Sequence, residues 1–208
     1  MFSLSHGFSM KWAKSTLISY IIGLLLLLSS FWLQIPFLQT VSWFILLVGF
    51  ILFVLDMAEI IRKRVKKKLD RPFIFSLFAI GNGLVIHMTA FVASVIGVKH
   101  PTFWSWLVFL YILTWIIFSI LGYLYKIVPF LWWTHKYSGK IGKEKVPTLK
   151  EMINEKLSVY FFISFTVSII GILFGASLQL GWMLFIFLGI LTVTTFVYAL
   201  SIFHVLLK

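Results

Sequence analysis

Apolar residues in this chain come in long unbroken runs, not in alternation and not on one stripe of a polar helix. A helix needs about 20 predominantly apolar residues to cross the hydrocarbon of a bilayer. Six runs meet that length, at about 15–34, 41–61, 72–98, 102–126, 157–178 and 181–205. The strands of a membrane barrel would alternate apolar and polar positions, which these runs do not. The first run follows Lys11 and Lys14 and superficially resembles a signal peptide. It exceeds the usual apolar core of one and lacks a small-x-small cleavage site, so it reads as a retained helix. The pattern therefore predicts an all-α, polytopic bundle of six transmembrane helices, forming one membrane domain over 1–208.

Composition fits that reading. The chain is 61% hydrophobic and 12% charged, far from the balance of a water-soluble domain. The formal charge of +12 raises the question of nucleic acid, until the basic residues are placed on the topology. Of 18 Lys and Arg, only Lys99 falls on the side opposite the termini. The positive-inside rule then puts both termini and the loops 62–71 and 127–156 in the cytoplasm and three short turns outside. Trp32, Trp43, Trp104, Trp106 and Trp182 fall at outer ends and Trp12, Trp132 and Trp133 at inner ends, as an aromatic belt requires, while Trp115 lies mid-span. The run from Arg62 to Arg71 is thus an orientation signal that also attracts anionic lipid headgroups, and no nucleic-acid partner is expected.

The second cytoplasmic loop restarts a helix. Thr148 and Glu151 have the spacing of a capping box, and from Leu149 a helix is expected to run unbroken to about Leu178. Its first two turns would stand in the cytoplasm.

Helices in lipid gain nothing from hiding apolar surface, so small residues that admit close approach indicate the packing faces. The fifth span carries Ser164, Ser168, Gly171 and Gly175 in helical register, with Gly171 and Gly175 as the expected close contact. The third carries Ser76, Ala79, Gly83, Ala90, Ser94 and Gly97, and His87 falls on that face between Gly83 and Ala90. His87 should therefore point into the bundle, as a heme or metal ligand, a proton relay, or a neutral imidazole bonded to a neighbouring helix, with Asn82 or Thr89 through water as candidate partners. Gly81, Asn82 and Gly83 lie near the midplane, where a local break could line a site. Asp56 and Glu59 stand one turn apart at the inner end of the second span. They suit a cation path or pairing with Arg62, Lys63 or Lys126.

Zero Cys excludes disulfides, thiolate zinc, iron-sulfur clusters and Cys nucleophiles. No P-loop, GxGxxG, HExxH or Ser-His-Asp arrangement with its supporting turns occurs. A bis-His heme needs two imidazoles at one depth, and His87 and His204 do not match. His6, His135 and His204 share the cytoplasmic level and form a weaker candidate set for a metal or cofactor. His100 sits in an outer turn and is expected to be solvated.

The end of the fourth span reads Gly122-Tyr-Leu-Tyr-Lys-Ile-Val-Pro-Phe-Leu-Trp-Trp-Thr-His-Lys-Tyr-Ser138, followed by Gly142-Lys-Glu-Lys-Val-Pro-Thr-Leu-Lys150. This resembles a stretch of bacterial membrane proteins related to the heme-copper oxidase and nitric-oxide reductase catalytic subunit. The opening Met1-Phe-Ser-Leu-Ser-His-Gly7 resembles the end of an earlier helix in such proteins. The resemblance implies a respiratory, heme-binding type of fold in the bacterial cytoplasmic membrane. Longer relatives carry upstream helices with histidine ligands that this chain lacks, which implies a fragment or a degenerate member without a metal centre. Three functions stay open: a heme-binding oxidase-like subunit; a small-molecule or ion carrier built on Gly81–Asn82–Gly83 and Asp56; and a noncatalytic scaffold or assembly factor that engages another membrane subunit.

Overall fold

The computed structural model describes residues 11–63 and 71–207, and among them there is no strand. Helix α1 runs Lys11–Leu33, α2 Pro36–Arg62, α3 Arg71–Ile96 and α4 Pro101–Leu110. A π-helical stretch, Tyr111–Ile117, joins α4 to α5, Phe118–Tyr137, and a 3-10 turn follows at Ser138–Lys140. The chain closes with α6, Leu149–Met152, α7, Glu155–Ser177, and α8, Gly181–Leu206. Six helices, counting Pro101–Lys140 as one, are long and apolar enough to cross a membrane. This is an all-α, multi-pass membrane protein.

The three short connections share one construction. After α3 the backbone N–H of Val98 bonds to the Ala93 carbonyl and that of Gly97 to Ser94, with Gly97 at φ 78. This is the Schellman arrangement, which satisfies the last carbonyls of a helix by turning one residue left-handed. The turn after α7 repeats it with Leu180 bonded to Gly175, Gln179 to Ala176, and Gln179 at φ 56. The turn after α1 has Ile35 bonded to Ser30 and Gln34 at φ 54.

Three expected boundaries change. Helix α2 begins at Pro36, not near 41, because proline is preset for the first helical position and Ile35 before it is extended. The fourth span does not end near 126. It continues past the buried Pro129 to Tyr137, so much of the expected loop 127–156 is helical. From Pro101 to Lys140 this span has 40 residues, about twice what a bilayer requires. The helix expected to run unbroken from Leu149 stops at Met152. Ile153 is extended, and the Asn154 side chain accepts from the Lys156 N–H at 3.0 Å to start α7 afresh. Asparagine is a far better N-cap than helix interior, so the chain breaks there. The predicted capping box is present, with Glu151 accepting from the Thr148 N–H at 2.9 Å.

Two compact units divide the chain. The first holds α1, α2, α3 from Leu77, α4 and the π-helical stretch. Here α1 and α2 form an antiparallel hairpin along a seam of seven-residue steps: Thr16, Gly23 and Ser30 on one helix, Ser42, Gly49 and Asp56 on the other. A Cβ at Gly23 would stand 2.9 Å from the Leu46 side chain, and one at Gly49 would stand 2.7 Å from Ser19 Oγ. The second unit holds the first turn of α3 and α5 from Ser119 onward, with α6, α7 and α8. In it the predicted small-residue face of α7 packs on α8: Gly171 lies under the Phe187 ring and Gly175 against Leu184 and Met183, while Ser164 and Thr194 hydroxyls meet at 2.7 Å. Phe75 stacks on Phe162 at 4.2 Å, and the Tyr198 hydroxyl donates to the Leu121 carbonyl at 2.7 Å.

Candidate functional site

The small-residue face of α3 is buried where the sequence places it. Ser76, Ala79 and Ala90 are fully buried and His87 is 1% exposed, whereas Ser94 is half-buried and Gly97 is exposed at the helix end. His87 thus points into the first unit, as its spacing predicts. The helix runs unbroken through Gly81, Asn82 and Gly83, which corrects the expected local break. Gly83 has a packing reason: a Cβ there would stand 2.5 Å from the Phe50 ring and 3.1 Å from Trp115. Gly81 faces open space and Asn82 is half-buried.

The partners of His87 are not Asn82 or Thr89. Its Nδ1 lies 2.7 Å from the Gly83 carbonyl and its Nε2 lies 2.7 Å from the Tyr20 hydroxyl, which in turn lies 2.9 Å from the Tyr111 hydroxyl. Thr89 instead donates back to Val85 on its own helix. The direction of these bonds follows from the donor inventory. A carbonyl only accepts, so Nδ1 carries a proton. Among the described residues no carboxylate bonds to this buried ring, so it is neutral and Nε2 is an acceptor. Tyr20 therefore donates to Nε2, which spends its only proton, and Tyr111 donates to Tyr20. One directed chain of hydrogen bonds ties α1, α3 and the π-helical stretch together.

Aromatic rings fill the rest of the site. Phe50 stacks on His87 at 4.3 Å and 25°, Tyr20 and Tyr111 stand 5.7 and 5.6 Å away by ring centroid, and Trp115 meets Phe50 edge-on at 5.0 Å. The π-helical turn supplies both Tyr111 and Trp115, and such turns collect where side chains are re-aimed at a site. An iron or metal ion needs one imidazole nitrogen open and space beside it. Here both nitrogens are bonded and one ring face is covered, so the surroundings of His87 do not fit a heme.

His6 lies outside the described residues, His135 and His204 are exposed, and no group of three or more His, Cys, Asp or Glu able to hold a metal occurs among the described residues. His100 is exposed in its turn. Of the acidic pair, Glu59 is bonded to Lys63 as one of the expected pairings allows, while Asp56 is 7% exposed and its Oδ1 has no hydrogen-bond partner. From the basic run, Arg62 and Lys63 are described and 64–70 are not.

Tyr20, Tyr111 and Phe50 escaped the sequence reading, although a signal existed. His87 lies nine residues before Ile96, Tyr111 ten after Pro101 and Tyr20 thirteen before Leu33, which at 1.5 Å per residue puts all three about 14–20 Å from the short-turn ends of their helices. Depth matching applied to tyrosines as well as histidines would have joined them. No family model, no curated protein and no solved structure matches the chain.

Proposed function

We propose that the chain is a noncatalytic multi-pass subunit of the bacterial cytoplasmic membrane, a scaffold or assembly factor, with both termini and the basic loops inside, facing anionic lipid headgroups. The observation that carries this reading is the engagement of His87: the ring is 1% exposed, Nδ1 is bonded within α3, Nε2 is bonded to Tyr20 of α1, and one face is covered by Phe50 of α2. A polar group kept at such depth for chemistry would need an opening toward substrate or cofactor. The test is the visible spectrum of the protein purified after heme-supplemented expression. A colourless protein is expected, and a Soret band that His87→Ala removes would overturn the reading.

A second reading has its own support in the Gly122–Lys150 stretch that resembles the heme-copper oxidase and nitric-oxide reductase family. Trp133 Nε1 donates to the Pro147 carbonyl at 2.6 Å, closing the two resembling segments onto each other. On this reading the chain is a degenerate member that joins a respiratory membrane complex, and any heme belongs to the other subunit. Purification in mild detergent separates the two: heme absorbance that co-purifies with the wild type and is kept in His87→Ala favours the respiratory complex.

A further inference from the structure

Asp56 lies on α2 six residues, about 9 Å, before the helix ends at Arg62. It continues the line of Ser42 and Gly49 that faces α1, and it is 7% exposed. Its Oδ1 accepts no hydrogen bond, and among the described residues no cation pairs with it. The charged groups nearest in sequence are otherwise placed: Glu59 holds Lys63, and Lys14 on α1 is exposed. On the facing helix Thr16 occupies the corresponding end of the line through Gly23 and Ser30, and its Oγ1 is also buried without a partner.

A buried carboxylate oxygen that accepts no hydrogen bond leaves its negative charge uncompensated on a helix long and apolar enough to span a membrane. Such a group persists only when something neutralises it. We propose that Asp56 takes up a small monovalent cation, Na+ or a proton. Hard oxygen donors favour such ions. A divalent ion asks for six or more oxygens, usually with several carboxylates, and Glu59 is committed to Lys63. The site is independent of the His87 chain and adds a ligand-binding function that a pure scaffold would not have.

The test treats the full-length protein in lipid nanodiscs with dicyclohexylcarbodiimide, which modifies protonated carboxyls in apolar surroundings, and locates the adduct by peptide mass spectrometry. Asp56 should be modified while Glu59 and the exposed Glu144 are not. Modification slowed several-fold by NaCl but not by choline chloride identifies Na+ as the occupant. Modification indifferent to either salt and faster at lower pH identifies the proton. Absence of the Asp56 adduct in every condition, or its modification only by a water-soluble carbodiimide, overturns the proposal, because the carboxylate is then solvated or ion-paired. Asp56→Asn should remove the adduct, and since the reading is taken on the wild type the outcome does not depend on how that variant folds.

Discussion

Tyr20 and Tyr111 each contribute one hydroxyl to the same chain of hydrogen bonds, yet its direction makes them unequal. In Tyr20→Phe the Nε2 of a ring 1% exposed loses its donor, and Tyr111 loses its acceptor. A buried acceptor left unmatched costs about 1–3 kcal/mol, and the lost Tyr111 bond adds about 0.5–1.5 kcal/mol. In Tyr111→Phe, Tyr20 still donates to Nε2 and only one acceptor lone pair goes unused, so the loss is that of a single bond. Interhelical hydrogen bonds in a bilayer average nearer 0.6 kcal/mol, which lowers both figures but not their order. The expected gap is at most about 1–3 kcal/mol, and each 1.4 kcal/mol is tenfold in the unfolding equilibrium. Reversible unfolding by SDS titration in mixed micelles measures it, and 15N NMR of the His87 ring reads the proton on Nδ1 directly. Equal losses, or a larger loss for Tyr111→Phe, would refute the assigned direction of the chain.

Two further predictions use the rest of the fold. Single-Cys variants, free of background because the chain has no Cys, should label from outside at His100→Cys and Leu180→Cys and from inside at Lys67→Cys and Lys143→Cys; the reverse at any two sites defeats the topology. At the α7–α8 contact a Cβ on Gly171 would stand 2.2–2.4 Å from the root of the Phe187 ring, but one on Gly175 no closer than 3.2 Å to Leu184, and Gly189 has nothing within 4 Å. Gly171→Ala should therefore cost about 1–3 kcal/mol by overpacking, Gly175→Ala less and Gly189→Ala nothing, as read by the same SDS titration; Gly171→Ala no less stable than Gly189→Ala would show that the two helices separate without cost.

How much of this was legible follows from which forces act locally. The six spans were, because an apolar run of bilayer length has few alternatives. The inward aim of His87 and the Gly171–Gly175 contact were legible as well, since small residues in helical register record which face a neighbour approaches. The ends of helices were less so. Pro36 and Pro129 look alike as breakers, yet one starts α2 and the other sits buried inside α5. Asn154 between two helical stretches gave no local sign that capping would outweigh continuation. Least visible was the partner of His87, because Tyr20 is 67 residues away in sequence and Tyr111 is 91 residues from the Tyr20 it bonds. Only the tertiary fold, or depth matching across helices, joins them.

The two units answer the same physical problem with different chemistry. Lipid tails are as apolar as leucine, so helices must be held by close approach and by polar bonds. The α7–α8 pair relies mainly on approach, with Gly171 and Gly175 under Phe187, Leu184 and Met183 and one hydroxyl pair between Ser164 and Thr194. The first unit uses more polar material: the hydroxyls of Thr40 and Ser94 meet at 2.8 Å, and the chain His87–Tyr20–Tyr111 joins three elements. In those bonds each proton of the ring and of Tyr20 meets an acceptor within the bundle. Asp56, at the end of the α1–α2 seam, breaks that pattern with a buried carboxylate oxygen that no donor meets. A structural clasp has no reason to leave such a group, so the place to look for a ligand is Asp56 and not the histidine.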